Sequence, residues 1–195
     1  MKRYVKSDTG AESPAAFKLD PDDRAIAARA VADLELLEVY ALDPNYGVRA
    51  SVARNRNASP ELLAELAEDP VNEVRSEVAR NRNTSAETLI LLAGDPDLGV
   101  RNQVAKNKNI PIEAMEILAR DFYWPVLESL ASNDSTTPEI LAKLSTSHDG
   151  DTRWLVAVHN NTPTEVLEKL TQDGVLNIRN TAKEMLKKRL ATEGV

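Results

Sequence analysis

Basic residues recur in this chain as pairs that bracket an asparagine: Arg54 and Arg56 around Asn55, Arg80 and Arg82 around Asn81, Lys106 and Lys108 around Asn107. Cations repeated at one period form a ridge that holds anions, either the carboxylates of an acidic protein segment or the phosphates of a nucleic acid. The ridge fades downstream, where the same positions hold Ser132, Asp134, Val158 and Asn160. A second group is apolar. Phe122, Tyr123 and Trp124 are consecutive and Trp154 follows, so these stretches hold half of the eight aromatic residues. If exposed they are binding anchors; if buried they fill space left by a loosened turn. A third group pairs base with acid. Arg49, Arg75, Arg101 and Arg153 each precede an aspartate, Asp69, Asp95, Asp121 and Asp173, by twenty residues. The guanidinium fork fits a carboxylate, so this column predicts ion pairs that lock adjacent units rather than a ligand site. Leu127 breaks the arginine column, and Ser147, twenty residues on, breaks the aspartate column. The asparagines Asn55, Asn81, Asn107 and Asn133, with His159 in the same column, read as a cap-and-turn ladder bonded to local backbone.

Catalytic patterns are missing. The sequence has no glycine-rich phosphate loop, no His-Glu-x-x-His and no nucleophile elbow. His148 and Asp149 adjoin in a diverged turn, where a surface histidine is the plain reading. Without cysteine, disulfides, thiol catalysis, cysteine-held zinc and iron–sulfur clusters are excluded. A non-enzyme is expected, with no cofactor, no metal and no small-molecule substrate. The net charge of −7 disfavours nucleic acid and anionic membranes on average. No stretch approaches the ~20 apolar residues of a membrane span, and the basic start lacks the apolar run of a secretory signal. A cytoplasmic location is expected.

All these residues sit at fixed phases of a 26-residue period. The phrase from Val48 to Asn57 returns from Val74 and Val100, in degraded form from Val126 and Thr152, and by half from Ile178. Asp43-Pro44, Asp69-Pro70 and Asp95-Pro96 are turn dipeptides. A short helix follows, from about Val48 to Asn55, its apolar face made by Val48, Val52 and Ala53. The Asn-x-Asn pair ends it, since asparagine tolerates the left-handed conformation. Ser59-Pro60-Glu61 then starts a second helix, with Leu62, Leu63, Leu66 and Ala67 inward. Helices this short persist only by burying those faces against neighbouring units. The spacing of three and four argues against strands. The expected fold is all-α, a superhelical solenoid of two-helix repeats. Residues 1–19 are read as a flexible leader, 20–42 as an N-terminal capping repeat with Ile26 and Ala27 in the phase of Val52 and Ala53, 43–172 as five repeats, 173–190 as a C-terminal capping helix and 191–195 as a tail.

The combination of Asp-Pro, Val-Arg-x-x-Val-Ala-x-Asn-x-Asn and Ser/Thr-Pro-Glu-x-Leu-x-x-Leu-Ala, from residue 43 to about 182, resembles the leucine-rich repeat variant family. That resemblance implies alternating α and 3₁₀ helices in a right-handed superhelix and no common enzymatic activity. The iron–sulfur segment of the founding example does not carry over, because this chain has no cysteine. The expected function is a non-catalytic scaffold for a protein or peptide partner, the basic ridge steering an acidic segment and the aromatics anchoring it. Nucleic-acid or phosphate binding on the ridge is the second reading.

Overall fold

The computed structural model describes residues 19–192, so most of the leader and tail assigned above lie outside the described residues. Within them are helices and turns and no strand. A first pair, α1 (Pro21–Ala30) and α2 (Leu34–Ala41), is followed by five more: α3 (Tyr46–Arg54) with α4 (Pro60–Leu66), α5 (Asn72–Arg80) with α6 (Ala86–Ala93), α7 (Leu98–Lys106) with α8 (Ile112–Leu118), α9 (Trp124–Ala131) with α10 (Pro138–Leu144), and α11 (Gly150–Val158) with α12 (Thr164–Leu170). A single longer helix, α13 (Leu176–Thr192), ends the array.

The odd-numbered helices form one row, each packed on the next, and the even-numbered helices form a second. The core lies between the rows and is built by columns. Val48, Val74, Val100 and Val126 are wholly buried, as are Val52, Val78, Val104, Leu130 and Val156. Alanines at 53, 79, 105, 131 and 157 let the odd helices approach closely, and Leu63, Leu89, Met115, Leu141 and Leu167 fill the even row. Thr152 replaces valine in the first column, and its buried hydroxyl has no hydrogen-bond partner.

Local signals set the helix ends. Ser59 and Thr137 accept from the N–H groups of Leu62 and Ile140, each followed by proline at the first helical position. Three details depart from the sequence reading. The odd helices begin about two residues before the Val48 phase. Asn55, Asn81 and Asn107 leave them in extended backbone, near φ −70, rather than left-handed, because each side chain makes the turn bond itself. Both helices of each pair are α-helices, with i to i+3 bonds at their ends, as in Asp69 N–H to Leu66.

The first unit is out of register. Arg24 and Ala28 occupy the places of Arg49 and Ala53, so the period from α1 to α3 is one residue short. Ile26 therefore lies outside the core, 67% exposed. The cause is local: Asp20 caps α1 through the N–H groups of Asp22 and Asp23, and Asp33 caps α2 in the same manner, which leaves only residues 31–33 between the helices.

Candidate functional site

Each unit presents two edges. At one, the turns meet the N-terminal ends of the odd helices. There Arg49 donates from Nε and Nη2 to the carboxylate of Asp69 at 2.6 and 3.0 Å. Arg75 grips Asp95 at 2.7 and 2.9 Å, Arg101 grips Asp121 at 2.6 and 3.2 Å, and Arg153 grips Asp173 at 2.7 and 3.2 Å. Nη1 of each arginine donates to the carbonyl of its own turn, at Asp43, Asp69, Asp95 and Ser147, each at 2.8 Å. One guanidinium therefore ties two consecutive turns. Each aspartate also accepts the N–H two residues on, as Asp69 does from Val71. The carboxylates push the pKa of Arg75, Arg101 and Arg153 up, and Arg153 holds that of Asp173 below the usual range. A further pair, Arg24 with Asp43 at 2.7 and 3.1 Å, escaped the sequence reading because of the register slip; its only signal was a turn aspartate with no arginine twenty residues before it.

The series breaks once. Leu127 cannot hold the turn that follows, and the Ser147 hydroxyl, standing where other turns have a carboxylate, accepts the N–H of Asp149 at 3.2 Å. Beside the gap, the carboxylates of Glu128, Asp149 and Asp151 lie within 4.8 Å of one another across the joint between α9 and α11. Burial, then the two aspartates, pushes the Glu128 carboxyl above its ordinary range.

The other edge carries the C-terminal ends of the odd helices. Asn81 accepts the N–H of Asn83 and donates to the carbonyls of Ala53 and Asn55 at 2.7 and 2.9 Å. Asn55, Asn107 and Asn133 do the same in their units, so the ladder bonds the preceding unit as well as local backbone. His159 substitutes a ring, with Nδ1 accepting from the Asn161 N–H and Nε2 facing the Asn133 carbonyl, both at 3.0 Å. A parallel rung joins Asn83, Asn109 and Ser135 to the carbonyls of Arg56, Arg82 and Lys108. The backbone that carries the basic ridge is thus pinned at each unit. The side chains differ in availability. Arg54 is paired with Glu77 of the next unit at 3.0 and 2.5 Å. Arg56, Arg80, Arg82, Lys106 and Lys108 are exposed and have no ion pair among the described residues.

The aromatics are exposed, but on the turn edge: Phe122 94%, Trp124 57%, Tyr123 51%. Tyr123 packs edge-on against Phe122, centroids 6.1 Å apart, and lies under the Arg101 guanidinium at 5.5 Å. Trp154, midway along α11, lines a shallow groove of ≈ 330 Å³ with Gly150, Asp151 and Val175. The ridge and the 122–124 cluster stand at opposite ends of the odd helices, about 12 Å apart along the axis at ~1.5 Å per residue. They do not form one site. A second groove, ≈ 310 Å³, meets the downstream end of the ridge at Lys106 and Lys108 and reaches Leu155 and Glu128.

No helix among the described residues is long and apolar enough to cross a membrane. No curated protein matches the chain. Among solved structures, one described as a leucine-rich repeat variant with a novel repetitive protein structural motif is 23% identical over 89% of this chain and 80% of its own, with a TM-score of 0.44. An engineered protein is 19% identical over 96% of this chain and 93% of its own, with a TM-score of 0.37. The family model described as leucine rich repeat variant matches residues 46–71 and 73–97, two consecutive units that carry the clamp, the ladder and the ridge. Over residues 46–71 and 73–97 the repeat unit matches the leucine rich repeat variant, and the helix pairs of the chain build an all-α repeat array.

Proposed function

We propose that the protein is a non-catalytic scaffold that holds an acidic segment of a partner protein along the ladder edge of its first three full repeats. One observation carries this reading: Arg56, Arg80, Arg82, Lys106 and Lys108 are exposed cations without carboxylate partners among the described residues, on backbone that the ladder keeps in register. The arginines of the turn edge are committed to aspartates and turn carbonyls, so that edge has far less charge to offer. A backbone held in register spaces the cations for an extended acidic chain, so binding has to order the side chains but not the backbone that carries them. No aromatic is interleaved with the ridge, which favours carboxylates over stacked nucleobases.

The test is fluorescence anisotropy with a labelled mixed Glu/Asp peptide and, separately, a labelled single-stranded oligonucleotide. The peptide is expected to bind, and Arg80→Glu with Lys106→Glu to weaken it at least about tenfold, the equivalent of ~1.4 kcal/mol. Lys169→Glu on the exposed side of α12 serves as the control. Equal peptide binding by the wild type and the ridge variant rejects the proposal. Saturable binding of the oligonucleotide alone transfers the ridge to phosphate recognition.

A further inference from the structure

The two ends of the helix stack carry opposite charge. The first pair, residues 20–42, holds Asp20, Asp22, Asp23, Asp33, Glu35 and Glu38 against Arg24 and Arg29, and Arg24 is engaged by Asp43. At the far end α13 holds Arg179, Lys183, Lys187, Lys188 and Arg189 against Glu184 alone. Arg189 is used within the chain, donating to the Asn160 carbonyl at 2.8 Å where other units use asparagine or serine. Lys183, Lys187 and Lys188 are exposed. Large apolar side chains also stay outside at both ends: Ile26 and Leu42 at the first, 67% and 69% exposed, and Leu176 and Leu190 at the second, 62% and 56%.

Arg179 supplies the geometric link. Its Nη1 donates to the carbonyls of Asp173 and Gly174 at 2.6 and 3.0 Å, the same grip the other clamp arginines have on their own turns. In Arg49, Arg75, Arg101 and Arg153 the Nε and Nη2 groups then take the aspartate of the next unit. In Arg179 those two donors have no partner among the described residues. Among the described residues the last clamp is thus half made. At its other end carboxylates crowd together: Asp20 beside Asp23 pushes the Asp23 carboxyl above its ordinary range, so a cation placed there relieves repulsion.

We propose that copies of this chain associate head to tail, the basic face of α13 in one copy seated on the acidic first helix pair of the next, with Arg179 taking a carboxylate of α1. A second copy is the occupant because each molecule brings both complementary faces, and the joint continues the stacking already used inside the array. Such a contact is heterologous, so it propagates into a ring or an open filament rather than stopping at a two-fold dimer. It is independent of the ridge and of its partner.

Sedimentation velocity on the full chain, at about 50 mM and about 500 mM salt, tests it, since screening on that scale separates surface charges. At low salt the weight-average mass is expected to rise above the monomer's 21.4 kDa with concentration, and to return toward it at high salt. Lys183→Glu with Lys187→Glu is expected to abolish association while leaving Arg179 and its fold contacts intact. Asp23→Lys with Glu38→Lys is expected to do the same from the other end, and an equal mixture of the two variants to regain it. A wild type that stays monomeric at low salt up to several hundred micromolar overturns the proposal. So does either variant associating as the wild type does, or a mixture that remains monomeric.

Discussion

A single amide makes three bonds at each rung of the asparagine ladder, one to its own turn and two to the unit before. The imidazole of His159 makes two, because a ring presents one acceptor and one donor along that line. His159→Asn is expected to restore the second donor toward the preceding helix and to raise unfolding free energy by about 1 kcal/mol. A urea midpoint that stays put or falls would show that the ring contributes packing the amide cannot replace. Thr152 is the companion case, a polar atom where valine or isoleucine stands in other units. Thr152→Val keeps the shape and removes a buried hydroxyl without a partner, so a gain of roughly 1 kcal/mol is expected in the same measurement. Only the local bond of the three follows from the Asn-x-Asn pattern. The amide nitrogen reaches carbonyls 24 to 28 residues earlier, a contact that exists only once units are stacked.

Helix ends were legible where one residue type determines them, as with Ser59-Pro60 and Thr137-Pro138. The slip of α1 was not, because it follows from two aspartate caps and a short connection acting together. The same limit applied to Arg54. Its neutraliser, Glu77, sits in a column that otherwise holds Ser51, Gln103, Ser129 and Leu155, so no pattern within the unit announces it. The charge at the joint between α9 and α11 has a consequence that pH reveals. Glu128 has its folded pKa raised, so the folded state holds its proton over the interval just above the ordinary glutamate value of ~4.3. Stability is therefore lost as pH rises through that interval, and the cost persists at neutral pH. Glu128→Gln is expected to raise the melting temperature at pH 7 and to leave it unchanged below pH ~4, where the wild-type carboxyl is protonated in both states. An equal effect at both values would place its origin in packing rather than charge.

Across the whole array, stability is a sum of units and of the joints between them, because no unit touches more than its neighbours. Interior joints share a clamp and two ladder rungs. The joint between the fourth and fifth repeats keeps its rungs, through His159 and Asn161, but lacks the clamp and gathers three carboxylates. Leu127 is partly buried against the core, so apolar contact replaces only part of what a guanidinium does elsewhere. A nearest-neighbour chain opens first at its weakest link, and the segment beyond that link opens as a block. Native-state hydrogen exchange is expected to show the buried amides of α11–α13 opening at a lower free energy than those of α3–α7. Introducing Leu127→Arg together with Ser147→Asp should raise the protection of that block toward the rest. The two changes should be coupled, the double variant exceeding the sum of the singles by roughly 1–3 kcal/mol, because either alone buries a charge without its partner. Uniform protection across all helices in the wild type would mean that ladder and core alone set the strength of a joint. The clamp would then serve to hold register rather than to add stability.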